Sequence, residues 1–153
     1  MKKVLMAVIA VAMVAMAGAA WAANSNTLTV SATVNGACKF SSLTSTLSFN
    51  PLDPSVGNNV TATTTTAFWC TKGVAETISA DLGTHASGGT RQMLDSVSGD
   101  LIPYTLSLTP DGNTNQGPGS PRTLTIGGGI QGTDYISKTP GTYSDTVLLQ
   151  INP

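Results

Sequence analysis

Apolar and polar side chains alternate with a period of two in segment after segment of this chain, and no window keeps a helical period over three turns. A half-buried strand is the regular element with that period, so an all-β fold is expected. The alternation is clearest at the two ends. Near the start, Leu28, Val30, Ala32 and Val34 alternate with Thr27, Thr29, Ser31 and Thr33. Near the end, Tyr143, Asp145, Val147, Leu149 and Ile151 share a face, and the run from Val147 to Pro153 is followed by nothing that pairs with its free edge. A bare apolar edge is an aggregation hazard. A spare strand first and a bare strand last suggest subunits that complete one another.

Lys2 and Lys3 precede an apolar run from Val4 to about Met16, which ends in Ala20-Trp21-Ala22. This is the pattern of an export signal cleaved after Ala22; the run is short for a membrane span, and an anchor leaves the Ala-x-Ala ending unexplained. The organisation expected is a signal over 1–22, an N-terminal strand segment over 23–36 and one domain over 37–153. Removing the signal leaves five basic residues against eight acidic ones, a net charge of −3. That balance argues against nucleic-acid binding. The remaining chain of about 130 residues is long enough for one domain with a core. It is rich in Thr, Ser, Gly and Asn and poor in charge, which suits exposed strand faces carrying hydroxyls.

Both cysteines, Cys38 and Cys70, lie in the exported part. An even count in an oxidising compartment favours a disulfide. Closing a loop of about 33 residues contributes on the order of 3.5 kcal/mol in the entropy model. A redox or metal role has no CxxC to support it, and His85, the single histidine, has no ligand-like spacing to either cysteine. A structural staple is the simpler assignment.

Strands are expected over Leu28 to Val34, Thr46 to Phe49, Val60 to Cys70, Ile78 to Leu82, Met93 to Leu94, Ile102 to Leu108, Leu124 to Ile126 and Tyr143 to Ile151. The polar, Gly- and Pro-rich stretch Asp111 to Pro121 reads as a hairpin loop. Seven or eight short strands with a disulfide in one exported domain point to an immunoglobulin-like β-sandwich.

Candidate chemical sites are weak. Gly127, Gly129 and Gly132 match GxGxxG, but Thr133-Asp134 follows and no helix opens after them, so a bulge or tight bend is the better reading. His85 with Asp81 or Asp95 could form an acid-base or metal pair, yet no nucleophile elbow accompanies them. No catalytic residue, metal or cofactor is therefore assigned. Asn59-Val60-Thr61 matches a glycosylation acceptor, a pattern that arises often by chance. Asp145 on an inward face would need a partner if buried, and a place near solvent or capping a turn is the simpler expectation.

Several segments together resemble the spore coat protein U domain. They are the N-terminal strand leading into Gly36-Ala37-Cys38, the Phe68-Trp69-Cys70 strand end, and Arg91 and Met93 followed by Leu101 to Leu106. The glycine-containing strand Leu124 to Ile130 and, most specifically, Gly141-Thr142-Tyr143-Ser144-Asp145-Thr146-Val147 complete the set. Pro153 departs from the family, which usually ends on an apolar or aromatic residue. The family includes major subunits of archaic chaperone-usher pili. The resemblance implies an immunoglobulin-like sandwich lacking its last strand, exported to the periplasm, where a chaperone lends a strand. At an outer-membrane usher the N-terminal strand of the next copy replaces it, building a head-to-tail surface fibre with roles in adhesion and biofilm formation.

On that basis the donor plugs are Leu28, Val30, Ala32 and Val34, and the acceptor-edge strand carries Tyr143, Val147, Leu149 and Ile151. Burying the four plugs contributes on the order of 5 to 8 kcal/mol before the ordering cost. Two other functions remain open on sequence: a spore or cyst coat protein of the same fold, and a stand-alone adhesive binding module, for which no aromatic platform is visible.

Overall fold

A computed structural model describes residues 24–153; the expected signal, 1–22, and Ala23 lie outside them. Residues 24–33 and the body Val34–Pro153 are separate units. Residues 24–37 form no strand, and Leu28, Val30 and Val34 are each more than four-fifths exposed, at 82%, 82% and 83%.

The body is all-β, with a six-stranded antiparallel sheet and a two-stranded one. The larger sheet holds β1 (Cys38–Phe40), β2 (Val60–Cys70), β6 (Arg122–Ile130), β5 (Leu101–Pro110), β4 (Arg91–Asp95) and β7 (Tyr143–Ser144), in that spatial order. The smaller pairs β3 (Thr77–Ala80) with β8 (Leu149–Asn152). The long Thr-rich strand forms as its alternation requires. In β2 the side chains of Thr66, Phe68 and Cys70 are buried, while Thr61, Thr63 and Thr65 face solvent. Thr suits this position because a β-branched hydroxyl side chain packs on a pleated surface and still meets water. The stretch 111–121 connects β5 to its direct neighbour β6, as a hairpin loop should.

The inner faces of the two sheets meet in a shared core. Phe68, Cys70, Leu124 and Ile126 of the large sheet pack with Ile78, Leu149 and Ile151 of the small one. A second cluster, Ile102, Tyr104, Ile130 and Tyr135, continues the core toward Tyr143 and Val147. This is a β-sandwich.

Three strand expectations are corrected. Thr46 to Phe49 is not a strand, because no neighbouring strand pairs with it. Gly127-Gly128-Gly129 makes neither bulge nor bend: β6 keeps unbroken register through it, against Thr61 to Thr63 on one side and Thr105 to Ser107 on the other. The final strand is divided. Tyr143 pairs with Asp95 in the large sheet, whereas Ile151 pairs with Ile78 in the small one, so the chain changes sheets between residues 144 and 149. Inward alternation nevertheless runs through the break: Tyr143, Asp145, Val147, Leu149 and Ile151 are partly buried and the residues between them exposed.

Cys38 and Cys70 are bridged, and they are register partners at the end of the β1·β2 ladder. Of β1's three residues, Cys38 is thus tied covalently to its neighbour. Reducing the bridge, or Cys70→Ala, is expected to lower stability by about 2 to 5 kcal/mol. Denaturant unfolding of the oxidised and reduced protein measures it, and two titratable thiols in the native exported protein would remove the basis for it.

Candidate functional site

The candidate site is an apolar cleft of about 310 Å³ between residues 45–49 and the final segment of the chain. Leu47 and Phe49 form one wall, Tyr143, Val147 and Leu149 the other, and Leu106 and Ile126 belong to the large-sheet side. A second cavity of about 590 Å³ shares Leu47, Phe49, Met93 and Tyr143 with it. Of the expected acceptor residues, Tyr143, Val147 and Leu149 line the cleft, and Ile151 packs on the adjoining core. The expected plugs, Leu28, Val30, Ala32 and Val34, are exposed.

Leu47 and Phe49 reach the sheet because of a single glycine. A Cβ on Gly128 would stand 2.7 Å from Leu47 Cδ2 and 2.9 Å from Phe49 Cζ, closer than packed carbons approach. The missing side chain in a central strand is thus a seat for this wall of the cleft.

Both walls have open backbone edges. Residues 43–52 make no backbone-to-backbone hydrogen bond among the described residues. On the opposite wall, Asp81 N–H donates to the Leu148 carbonyl at 3.1 Å, which extends the β3·β8 register by one pair. Hydrogen-bonded and non-hydrogen-bonded pairs alternate in an antiparallel ladder. The N–H and C=O groups of Val147, Leu149 and Ile151 therefore point away from β3, toward an edge that no described strand occupies. Two unpaired edges flank an apolar trough.

Asp145 stands in the cleft lining with its side chain only 3% exposed. Of the simpler expectation, near solvent or capping a turn, the first half is corrected and the second holds, since the carboxylate takes the backbone N–H groups of the turn at Thr84 and His85. Oδ1 accepts hydrogen bonds from Thr84 N–H at 2.9 Å, Thr84 Oγ1 at 2.8 Å, His85 N–H at 3.3 Å and Thr146 N–H at 2.9 Å. Oδ2 accepts one from the Tyr104 hydroxyl at 2.7 Å. Burial raises the pKa of this carboxyl, but the hydrogen bonds from Tyr104, Thr84 and Thr146 hold it below the ordinary carboxylate value. The same contact, after burial itself, pushes the Tyr104 phenol far up. Gly83, at φ +86°, permits this approach, since a Cβ there would overlap the carboxylate.

His85 thus pairs with neither Asp81 nor Asp95; its Nδ1 lies 3.1 Å from Asp145 Oδ1. Asp81 instead accepts from the Gly83 and Leu148 N–H groups, and Asp95 from Ser98. Among the described residues no group of three or more His, Cys, Asp or Glu converges to hold a metal. Asn59 accepts a hydrogen bond from Gly132 N–H at 2.9 Å.

Sequence reading missed the far end of the sandwich. Arg122, 6% exposed, pairs with Glu76 at 2.6 Å and Asp111 at 2.9 Å and lies 5.1 Å from the Phe68 ring centre. The Thr123 N–H and then Arg122 hold the Asp111 carboxyl well below its usual range. An arginine directly before the alternating run Leu124, Ile126 was the available signal.

The description of the Spore Coat Protein U domain matches residues 24–150, which takes in the exposed segment and both walls of the cleft. The chain belongs to that family. No curated protein matches it. In this Spore Coat Protein U domain the match spans an all-β sandwich with an open cleft.

If Gly128 seats the cleft wall, Gly128→Ala should destabilise the body by about 1 to 3 kcal/mol through overpacking, although Ala outranks Gly in strands generally. Gly127→Ala should be milder, because its Cβ would meet only the Ser107 hydroxyl, which can turn. Denaturant midpoints of the two variants decide it; equal losses would mean that Leu47 and Phe49 do not depend on this seat.

Proposed function

We propose that this chain is a structural subunit of a secreted surface fibre, polymerising by donation of residues 27–34 of one copy into the cleft of the next. The observation that carries it is the apolar cleft between two unpaired backbone edges, together with an exposed alternating segment in the same chain. An added strand would supply hydrogen bonds to both edges and four side chains, Leu28, Val30, Ala32 and Val34, to the trough. The contact is heterologous, so copies join head to tail and the chain of subunits need not close. Export through the N-terminal signal to the periplasm, protection there by a chaperone that lends a strand, and exchange at an outer-membrane usher complete the route to the cell surface. Adhesion and biofilm formation are the roles expected of such a fibre. The family's description also keeps in view a secreted coat protein of the same fold. Electron microscopy of producing cells separates thin fibres from a coat.

Val30→Asp places a charge where a dry contact is required, without touching the body's own core, and should abolish polymerisation. A synthetic peptide of residues 26–36 should then cap the variant and raise its melting temperature. Thr29→Asp should be much milder, since one step along a strand reverses the side chain's direction. Polymer length by electrophoresis and thermal melts with peptide are the measurements. Equal damage from both substitutions, or a peptide without effect on the melt, would mean that strand addition does not occur.

A further inference from the structure

The Asp145 carboxylate touches both layers of the sandwich at the margin of the cleft. Oδ1 meets Thr84 and His85, in the turn after β3 of the small sheet, and Oδ2 meets Tyr104 on β5 of the large sheet. It also sits where the chain leaves β7 for β8, the point at which one segment changes sheets. An apolar trough of about 310 Å³ with no strand in it favours closure, because closing brings its walls into contact and removes them from water. A buried carboxylate with all its donors in place opposes that closure, since moving the layers breaks charge-assisted hydrogen bonds.

We propose that Asp145 is a positioning residue that fixes the separation of the two sheets at the cleft, keeping it open to an incoming strand and making strand uptake acid-sensitive. This clamp presupposes that the cleft accepts a strand, as proposed above. The sign follows from the direction of the shift. A carboxyl held below its ordinary value stabilises fully above that value and loses its contribution as the pH falls through the lower, folded one. Protonation turns an acceptor-only group into one carrying a donor, set against the donors of Thr84 and Tyr104. The titratable and charged groups around it are Tyr104 on β5, His85 and Asp81 in the turn after β3, and Arg91 on β4. Arg91 donates to the Ala80 and Asp81 carbonyls, and the Asp81 carboxylate is taken up by Gly83 and Leu148 N–H.

The test measures binding of the 26–36 peptide to the Val30→Asp chain, which cannot donate, from about pH 7 to about pH 3, while circular dichroism reports that the fold persists. With Asp145 intact, affinity should fall steeply at the acid end. Asp145→Asn should bind about 10- to 100-fold more weakly at neutral pH and show little further acid loss. Tyr104→Phe removes one donor and leaves the carboxylate, so it should bind a few-fold more weakly and shift the acid loss to higher pH, a displacement that loss of packing alone does not produce. This variant keeps the test decisive if Asp145→Asn does not fold. Equal affinity and equal pH profiles with Asp145 and with Asn, or an unshifted profile for Tyr104→Phe, would overturn the clamp alone. A peptide that fails to bind at neutral pH with Asp145 intact would overturn strand addition and the clamp with it.

Discussion

A backbone N–H or C=O that leaves water must find a partner, and this requirement governs the sandwich more than any single side chain. The large sheet meets it from β1 to β7 with continuous ladders. The small sheet meets it on one side only, through β3·β8 and the bonds from Asp81 and Thr84 to the chain between residues 146 and 148. Along the cleft the backbone pairs with no strand on either wall, at 43–52 and at the outward edge of 147–151. Apolar side chains line the same trough, so the hydrophobic and hydrogen-bonding demands coincide at one place and a single extended segment could answer both.

Keeping such a trough open is a mechanical problem, and three features divide it. Gly128 lets Leu47 and Phe49 lie on the central strand, so one wall is seated without a ladder of its own. Asp145 joins the small-sheet turn at Thr84 to Tyr104 in the large sheet. At the other end of the body the buried Arg122 of β6, held between Glu76 beside β3 and Asp111, joins the layers away from the cleft, while the Cys38–Cys70 bridge ties β1 to β2 within the large sheet. A buried cation with two carboxylates is seldom a gain over apolar packing, but removing one member leaves an uncompensated charge. The layers are thus tied at one end by an ionic contact and at the cleft by Asp145.

Much of the fold was legible because the period of two is a local signal. Val60 to Cys70 reads as a strand and is one, residue for residue, since its alternation is satisfied by its own sheet. Thr46 to Phe49 has the same alternation and is no strand, because a strand is defined by its neighbours and this segment has none. The glycines of β6 mislead for a related reason: Gly128 answers to Leu47 and Phe49, more than 75 positions away in the chain. Tyr143 to Ile151 shows the right face but not the change of sheet, which depends on β3 and β4. Asp145 draws notice as a charge on an apolar face, yet its donors at Thr84, His85 and Tyr104 are invisible until the chain has folded.

In the proposed strand addition, the sequence of residues 27–34 limits how a neighbour could use it. Leu28, Val30, Ala32 and Val34 are separated by Thr29, Ser31 and Thr33, so a slip of one residue would turn hydroxyls into the trough and the apolar set to water. A slip of two residues keeps the polarity, and only side-chain size then distinguishes the registers. Ala32 is the one small member of the set, so it marks the register: shifted by two, Val30 or Val34 would enter the place taken by its methyl group. Overpacking of that kind costs about 1 to 3 kcal/mol. Hydroxyls set against slipping by one, and one alanine against slipping by two, would give the proposed strand addition a defined register from a segment of fewer than ten residues.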